Sequence, residues 1–272
     1  MSAMKIRLRT ILFLPALIAV LCSCEEVIEI DLNSAHPVLV AEGYMELDSV
    51  CTLRLTYTTD YFQQESAVLA EDALVTLSDQ SGASEILSYV GSGIYRGQTI
   101  RGTVFSAYTL SIETDEQVNS GFSTLMPKAV LASASIEDFP FGNTPPGPDF
   151  PGLLTISFHN NPGIEEQYML QLTMNGESLE DNFALASDQF SPSSETIVYT
   201  TVVLPSGVGD TLSMEVYSID KATYRYYAQI NEAIGGGMAM SSTPYNPASN
   251  LGEDILGYFM ARSRIDTTLV LQ

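Results

Sequence analysis

The chain has 272 residues, 45% of them hydrophobic, with 11 Lys or Arg against 33 Asp or Glu and a formal net charge of −22. That length supports one large or two small domains, each with its own core, and the strand-rich pattern below favours two. The acid excess and the scattering of the few basic residues argue against nucleic acid as a partner, because phosphate recognition needs basic clusters. The same excess suits a soluble body held off an anionic membrane surface by repulsion.

In chain order, Lys5, Arg7 and Arg9 precede the apolar stretch Ile11 to Leu21, which runs into Leu21-Cys22-Ser23-Cys24. A basic start, a short apolar run and small residues before a cysteine predict a signal peptide over residues 1–23. The run is shorter than the roughly 20 residues of a membrane-spanning helix. Leu21-Cys22-Ser23-Cys24 resembles the processing site of bacterial lipoproteins, an aliphatic residue and small residues leading to a lipid-accepting cysteine. The resemblance implies that Cys24 is acylated and ties the mature chain to a lipid bilayer. Residues 24–36 then form a tether containing a first short strand, Val27 to Leu32. Glu25 and Glu26 resemble the signal that sends lipoproteins of the Bacteroidetes type to the outer face of the outer membrane; a polar spacer is the simpler reading. With Cys22 discarded and Cys24 acylated, Cys51 has no disulfide partner within the mature chain. Its alternation with Leu53, Leu55 and Tyr57 places it on the buried face of a strand as an inert thiol.

From residue 37 to 126 the pattern is one of short strands: Val38 to Tyr44, Cys51 to Thr58, Ala73 to Ser78, Glu85 to Val90, Ile94 to Ile100, Tyr108 to Glu113 and Gly121 to Leu125. Asp79-Gln80-Ser81-Gly82 and Gly91-Ser92-Gly93 supply the residues that tight reversals need. This set predicts an antiparallel β-sandwich. The block from Ala73 through Gly82 to Ile112 resembles Greek-key modules of the Ig-like and carboxypeptidase-regulatory types.

Met126-Pro127-Lys128 marks the expected boundary, and residues 127–272 predict a second sandwich. Its strands are Ala129 to Ile136, Leu153 to Phe158, Gln167 to Met174, Phe183 to Ser187, Glu195 to Leu204 and Thr211 to Tyr217. Between the first two, Phe139, Phe141 and Phe150 stand among five prolines, so the backbone there is stiff and cannot join a ladder. Those rings either pack onto the body or form a partner-contact loop. After the strands the period changes. Asp220 can cap a helix over about 221–234, which Gly235-Gly236-Gly237 stops. Tyr224, Tyr227, Ala228 and Asn231 share one face, with Tyr226, Ile230 and Ile234 adjoining, a broad stripe suited to covering a sheet. The tail ends in two strand-like runs, Leu256 to Ala261 and Thr267 to Leu271. The fold class is therefore mainly β: two tandem antiparallel sandwiches, the second with one helix near its C-terminal end.

Chemistry-bearing motifs are sparse. The two histidines, His36 and His159, have no zinc or triad spacing around them. No Gly-x-Ser-x-Gly elbow occurs, and the glycine run follows a helix instead of opening one. Acidic pairs at Glu71-Asp72, Asp115-Glu116, Glu137-Asp138, Glu165-Glu166, Glu180-Asp181 and Glu253-Asp254 read as solvated turns. Calcium could be held by such oxygen-rich loops, but no Asp-x-Asp-x-Asp-Gly pattern signals it, and no cofactor is expected.

Cys24 to Leu32, the following Pro37-Val38-Leu39-Val40-Ala41-Glu42-Gly43, and the late Asn246-Pro247-Ala248-Ser249-Asn250 with Gly257-Tyr258-Phe259 together resemble the Bacteroidetes lipoprotein family catalogued as domain of unknown function 4249. The family carries no catalytic residues to transfer. What the resemblance implies is an outer-membrane lipoprotein, exposed to the cell exterior, associated with a TonB-dependent receptor in uptake. The expected function is noncatalytic binding of a partner or solute for such a transporter. Two other classes compete: a surface hydrolase using carboxylates, and a structural or adhesive surface protein.

Overall fold

Alternation of buried and outward residues recurs along strand after strand, so each strand commits one face to a core. The structure, a computed structural model, describes residues 36–59, 67–138, 152–161, 163–179, 183–189, 195–203, 209–235 and 245–270. The signal peptide, Cys24, the acidic pair Glu25 and Glu26, and the tether up to residue 35 lie outside the described residues, as do Phe139, Phe141 and Phe150.

The strands are β1 (Leu39–Glu46), β2 (Val50–Tyr57), β3 (Val68–Leu69), β4 (Leu74–Asp79), β5 (Ser84–Ile86), β6 (Ser88–Gly91), β7 (Ile94–Arg101), β8 (Ala107–Glu113) and β9 (Val118–Thr124). There follow β10 (Leu131–Asp138), β11 (Gly152–His159), β12 (Gln167–Met174), β13 (Glu177–Ser178), β14 (Ala184–Ser187), β15 (Thr196–Val203) and β16 (Thr211–Ile219), then the helix α1 (Lys221–Gly235) and the last strand β17 (Ile255–Val270). The chain is mainly β, with several antiparallel sheets in a sandwich architecture and one helix near the C-terminus, as the sequence pattern implies. A ten-stranded sheet runs β13-β12-β16-β17-β1-β2-β7-β6, with β14 beside β12 and β3 beside β2. A four-stranded sheet, β5-β4-β8-β9, and a three-stranded sheet, β10-β11-β15, complete the set.

Within the compact unit Pro37–Gln272 the described residues form two large hydrophobic cores and a smaller cluster of Met169, Tyr217 and Ile219. One joins Leu39, Leu53, Leu55 and Tyr95 of the long sheet to Leu77, Tyr108, Leu110 and Ile112 of the four-stranded sheet. The other joins Tyr168, Leu170, Met214 and Val216 to Leu154, Ile156, Phe158 and Ile197 of the three-stranded sheet.

The tail departs from expectation. Its two strand-like runs are one strand of 16 residues. Ile255 to Arg262 pair in parallel with β1, and Ser263 to Thr211-facing Val270 pair antiparallel with β16. Sequence pattern places the tail wholly in the second sandwich, yet Leu251, Ile255, Phe259 and Ala261 enter the first core, while Ile265 and Leu269 pack on the second. The polar stretch between the runs is not a break. Arg262 and Arg264 point outward to acidic partners on β1 and β16, and Ser263 faces inward, fully buried, where the strand passes from one core to the other.

Candidate functional site

The parallel pairing of β1 with β17 brings together segments from opposite ends of the chain. Ala41 stands opposite Gly257, Glu42 opposite Tyr258 and Gly43 opposite Phe259. This close approach needs glycine: at Gly257, where φ is 87°, a Cβ would overlap the carbonyl oxygen of Ala41. Asn250 secures the arrangement. Its Nδ2 donates to the carbonyls of Phe122 (3.0 Å) and Phe259 (2.8 Å), and its Oδ1 accepts from the Phe259 amide at 3.0 Å.

On the opposite face from the first core, the outward residues Val40, Glu42 and Tyr44 of β1, Thr52 and Arg54 of β2, and Leu256, Tyr258 and Met260 of β17 form the floor of a groove. Its volume is about 660 Å³, within the range of small-molecule sites. One wall is α1, which presents Tyr226, Tyr227 and Ile230 beside Phe183, and Asn246 and Pro247 add to the lining. The Tyr226 ring stacks on Tyr258 with centroids 4.5 Å apart, and Phe183 packs against Tyr227 at 4.6 Å.

Asp220 orients the helix that makes this wall. Its Oδ1 accepts from the Thr223 amide at 2.8 Å, the N-cap the sequence implies. Its Oδ2 accepts from the Ser123 hydroxyl and the Thr124 amide of β9, at 2.7 and 2.9 Å. The aromatic stripe of α1 then divides: Tyr224 and Tyr227 pack over Met169, Tyr217 and Ile219, while Tyr226 and Ile230 turn to the groove. Asn231 fixes Phe183 by accepting from its amide at 3.0 Å and donating to its carbonyl at 2.7 Å.

The groove is electrostatically uneven. Burial raises the pKa of Tyr226, with Glu42 adding to the effect, and burial pushes Tyr227 up to about 12 against an opposing pull from Arg262. The tyrosines are therefore neutral hydroxyls at physiological pH, and Glu42 sits within electrostatic reach of the helix wall. Outside the groove, behind Tyr44 of its floor, Arg262 lies between Tyr44 and Tyr217, with Cζ 4.2 and 4.4 Å from the ring centroids. Its charge is met by Glu46 at 3.1 Å.

A family model described as Domain of unknown function (DUF4249) matches residues 25–267. The chain belongs to this family. No curated protein matches it. In this DUF4249 chain, β1–β17 pairing joins two of the segments that carry the sequence resemblance, Pro37 to Gly43 and Gly257-Tyr258-Phe259, and these together with Asn246 and Pro247 contribute to the groove lining.

The other residues weighed for chemistry are dispersed. His36 and His159 are exposed at strand ends. Burial pushes the Cys51 thiol up to about 12, with nearby Glu85 adding, so it is an un-ionised core thiol at neutral pH. Glu165 pairs with Lys221 at 2.8 Å, and buried Glu166 accepts from the backbone and side-chain amides of Asn161, both at 2.8 Å. Glu71 accepts from the Tyr89 hydroxyl at 2.7 Å, and Asp115, Glu116, Glu253 and Asp254 are exposed. Glu180 and Asp181 lie outside the described residues. Among the described residues no three His, Cys, Asp or Glu side chains gather as a metal set, and no helix is long and apolar enough to cross a membrane.

Sequence reasoning did not find the groove. Its traces were present: Val40, Glu42 and Tyr44 alternate on β1, and Tyr226 and Ile230 flank the helix stripe. Nothing local says that these two sets meet.

Proposed function

We propose that this chain is a noncatalytic lipoprotein of the outer-membrane exterior that serves a TonB-dependent transporter by holding a solute in the tyrosine-lined groove. The observation that carries the reading is the groove itself: apolar and aromatic walls with one carboxylate and one guanidinium on the floor, chemistry suited to binding. The reading also draws on Leu21-Cys22-Ser23-Cys24 for acylation and on Glu25 and Glu26 for outward display. Two or more acyl chains at Cys24, at about 0.8 kcal/mol per buried CH₂, give durable attachment where a single chain is marginal.

Two measurements on native membranes test it. Cys24→Ala is expected to release the protein from the membrane fraction. Mild-detergent extraction followed by affinity capture is expected to bring down a TonB-dependent receptor with the wild-type chain. Recovery of the lipoprotein alone, from extracts in which the receptor is intact, would reject the transporter role.

A further inference from the structure

Resting on the reading of the groove as a solute site, we infer that its occupant is a small amphipathic acid, with a flat apolar body against the tyrosine wall and one anionic group at Arg54.

The charge on the groove floor is confined to two facing residues, Glu42 and Arg54. Among the described residues that line the groove, Arg54 is the one cation. Arg54 lies on the groove floor and is exposed. It forms no ion pair among the described residues, as holds for every described Lys and Arg other than Lys221, Arg262 and Arg264. Arg96 strengthens the same end. Thr52 stands opposite Arg96 and Arg54 opposite Ile94, so Arg54 and Arg96 are diagonal neighbours on the outward face of β2 and β7. Arg96 also forms no ion pair among the described residues.

Glu42 sets the polarity across the floor. It stands opposite both Arg54 and Tyr258 in register, without pairing to Arg54 within salt-bridge distance. Its influence falls on Tyr226 and Tyr227, the helix side. The β2–β7 side suits the ligand's anion, because a guanidinium meets a carboxylate or sulfonate with paired N–H donors. Between them, Val40, Leu256 and the tyrosine rings cover the apolar body.

The test uses the full mature chain from Cys24 in unacylated form, so that no detergent competes, and two probes that differ by one group. 8-Anilino-1-naphthalenesulfonate carries the anion; N-phenyl-1-naphthylamine is the same framework without it. Fluorescence titration is expected to show the sulfonate bound about tenfold more tightly than the neutral probe. Arg54→Gln is expected to remove that tenfold advantage by weakening the sulfonate far more than the neutral probe. Ile230→Gln, in the wall, is expected to weaken both probes, and thermal melts of both variants check that the fold is retained. Equal affinity for the two probes, or indifference of the sulfonate to Arg54→Gln while Ile230→Gln still weakens binding, would overturn the anion assignment and leave the groove standing. Indifference of both probes to Ile230→Gln would overturn the groove reading itself.

Discussion

The Ser123 hydroxyl donates to Asp220 Oδ2 at 2.7 Å across 97 residues of sequence. The same hydroxyl accepts from the Ala261 amide at 2.8 Å, so one fully buried oxygen ties β9, the cap of α1 and β17 together. The wall of the groove is thereby referenced to its floor.

Removing Asp220 takes away a helix cap and leaves Ser123 and the Thr124 amide without their acceptor. Asp220→Ala is expected to cost about 2–4 kcal/mol, since a cap is worth about 1 kcal/mol and hydrogen bonds to a charged group about 1.5–3 kcal/mol. Urea unfolding of Asp220→Ala, Ser123→Ala and the double variant should give a coupling energy of at least about 1 kcal/mol. Additive losses would show that the two side chains act independently.

Gly257 permits the parallel approach of β17 to β1. Gly257→Ala adds a methyl group against the Ala41 carbonyl at a φ of 87°, so both the contact and the backbone oppose it. A loss of at least about 2 kcal/mol is expected, more than such a change costs at an open turn. Gly82, where a Cβ would meet nothing within 4 Å at a φ of 90°, is the control. Gly82→Ala isolates the backbone part, and similar melting temperatures for the two variants would contradict the steric account.

Glu85 closes an irregularity in the long sheet. The pairing of β2 with β7 shifts register between Thr52 and Val50, and the amides of Gln98, Thr99 and Ile100 in that stretch donate to Glu85, as does the Thr99 hydroxyl, at 2.7–3.1 Å. Burial works to raise its pKa, but these donors outweigh it and hold the carboxyl below the usual value of about 4.3. A folded-state pKa below the unfolded one means that the stabilisation is complete above about pH 4.3 and is lost as pH falls through the folded value. Glu85→Gln should cost about 1–2 kcal/mol near neutrality. The gap between wild type and variant in urea midpoint should narrow steadily below about pH 4.3. A gap independent of pH would assign the loss to packing.

Arg262 is held by two rings and a carboxylate. Lysine keeps the charge but not the plane that lies over Tyr44 and Tyr217, so Arg262→Lys is expected to lose about 1 kcal/mol. Arg262→Gln also strands Glu46 and should lose about 2 kcal/mol. Double-mutant cycles with Tyr217→Leu separate ring stacking from ion pairing.

Much of the fold is legible locally because strands declare themselves by period. The expected strands Gln167 to Met174 and Leu153 to Phe158 fall on β12 and β11, and Asp220 caps α1 as its position before the tyrosine stripe implies. The two-residue strand β3 carries too short a pattern to be read, and Leu87, turned into the core, splits the expected Glu85 to Val90 strand into β5 and β6. The single β17 escaped notice because Arg262 to Asp266 looks like a polar break when read alone. Only Glu46, Tyr44, Glu215 and Tyr217 on neighbouring strands make those charges belong in a strand.

By itself the sequence determined the mainly β character, the reversals at Asp79 to Gly82 and Gly91 to Gly93, the capped helix, the inert thiol and the family, since each rests on residue chemistry within a short window. Tertiary structure alone decided that β17 serves both cores, that Gly257 meets Ala41, and that Glu42, Arg54, Tyr226 and Tyr258 share one groove. Those facts follow from pairings between segments far apart in the chain, whose register is set by shape and burial across the whole sheet.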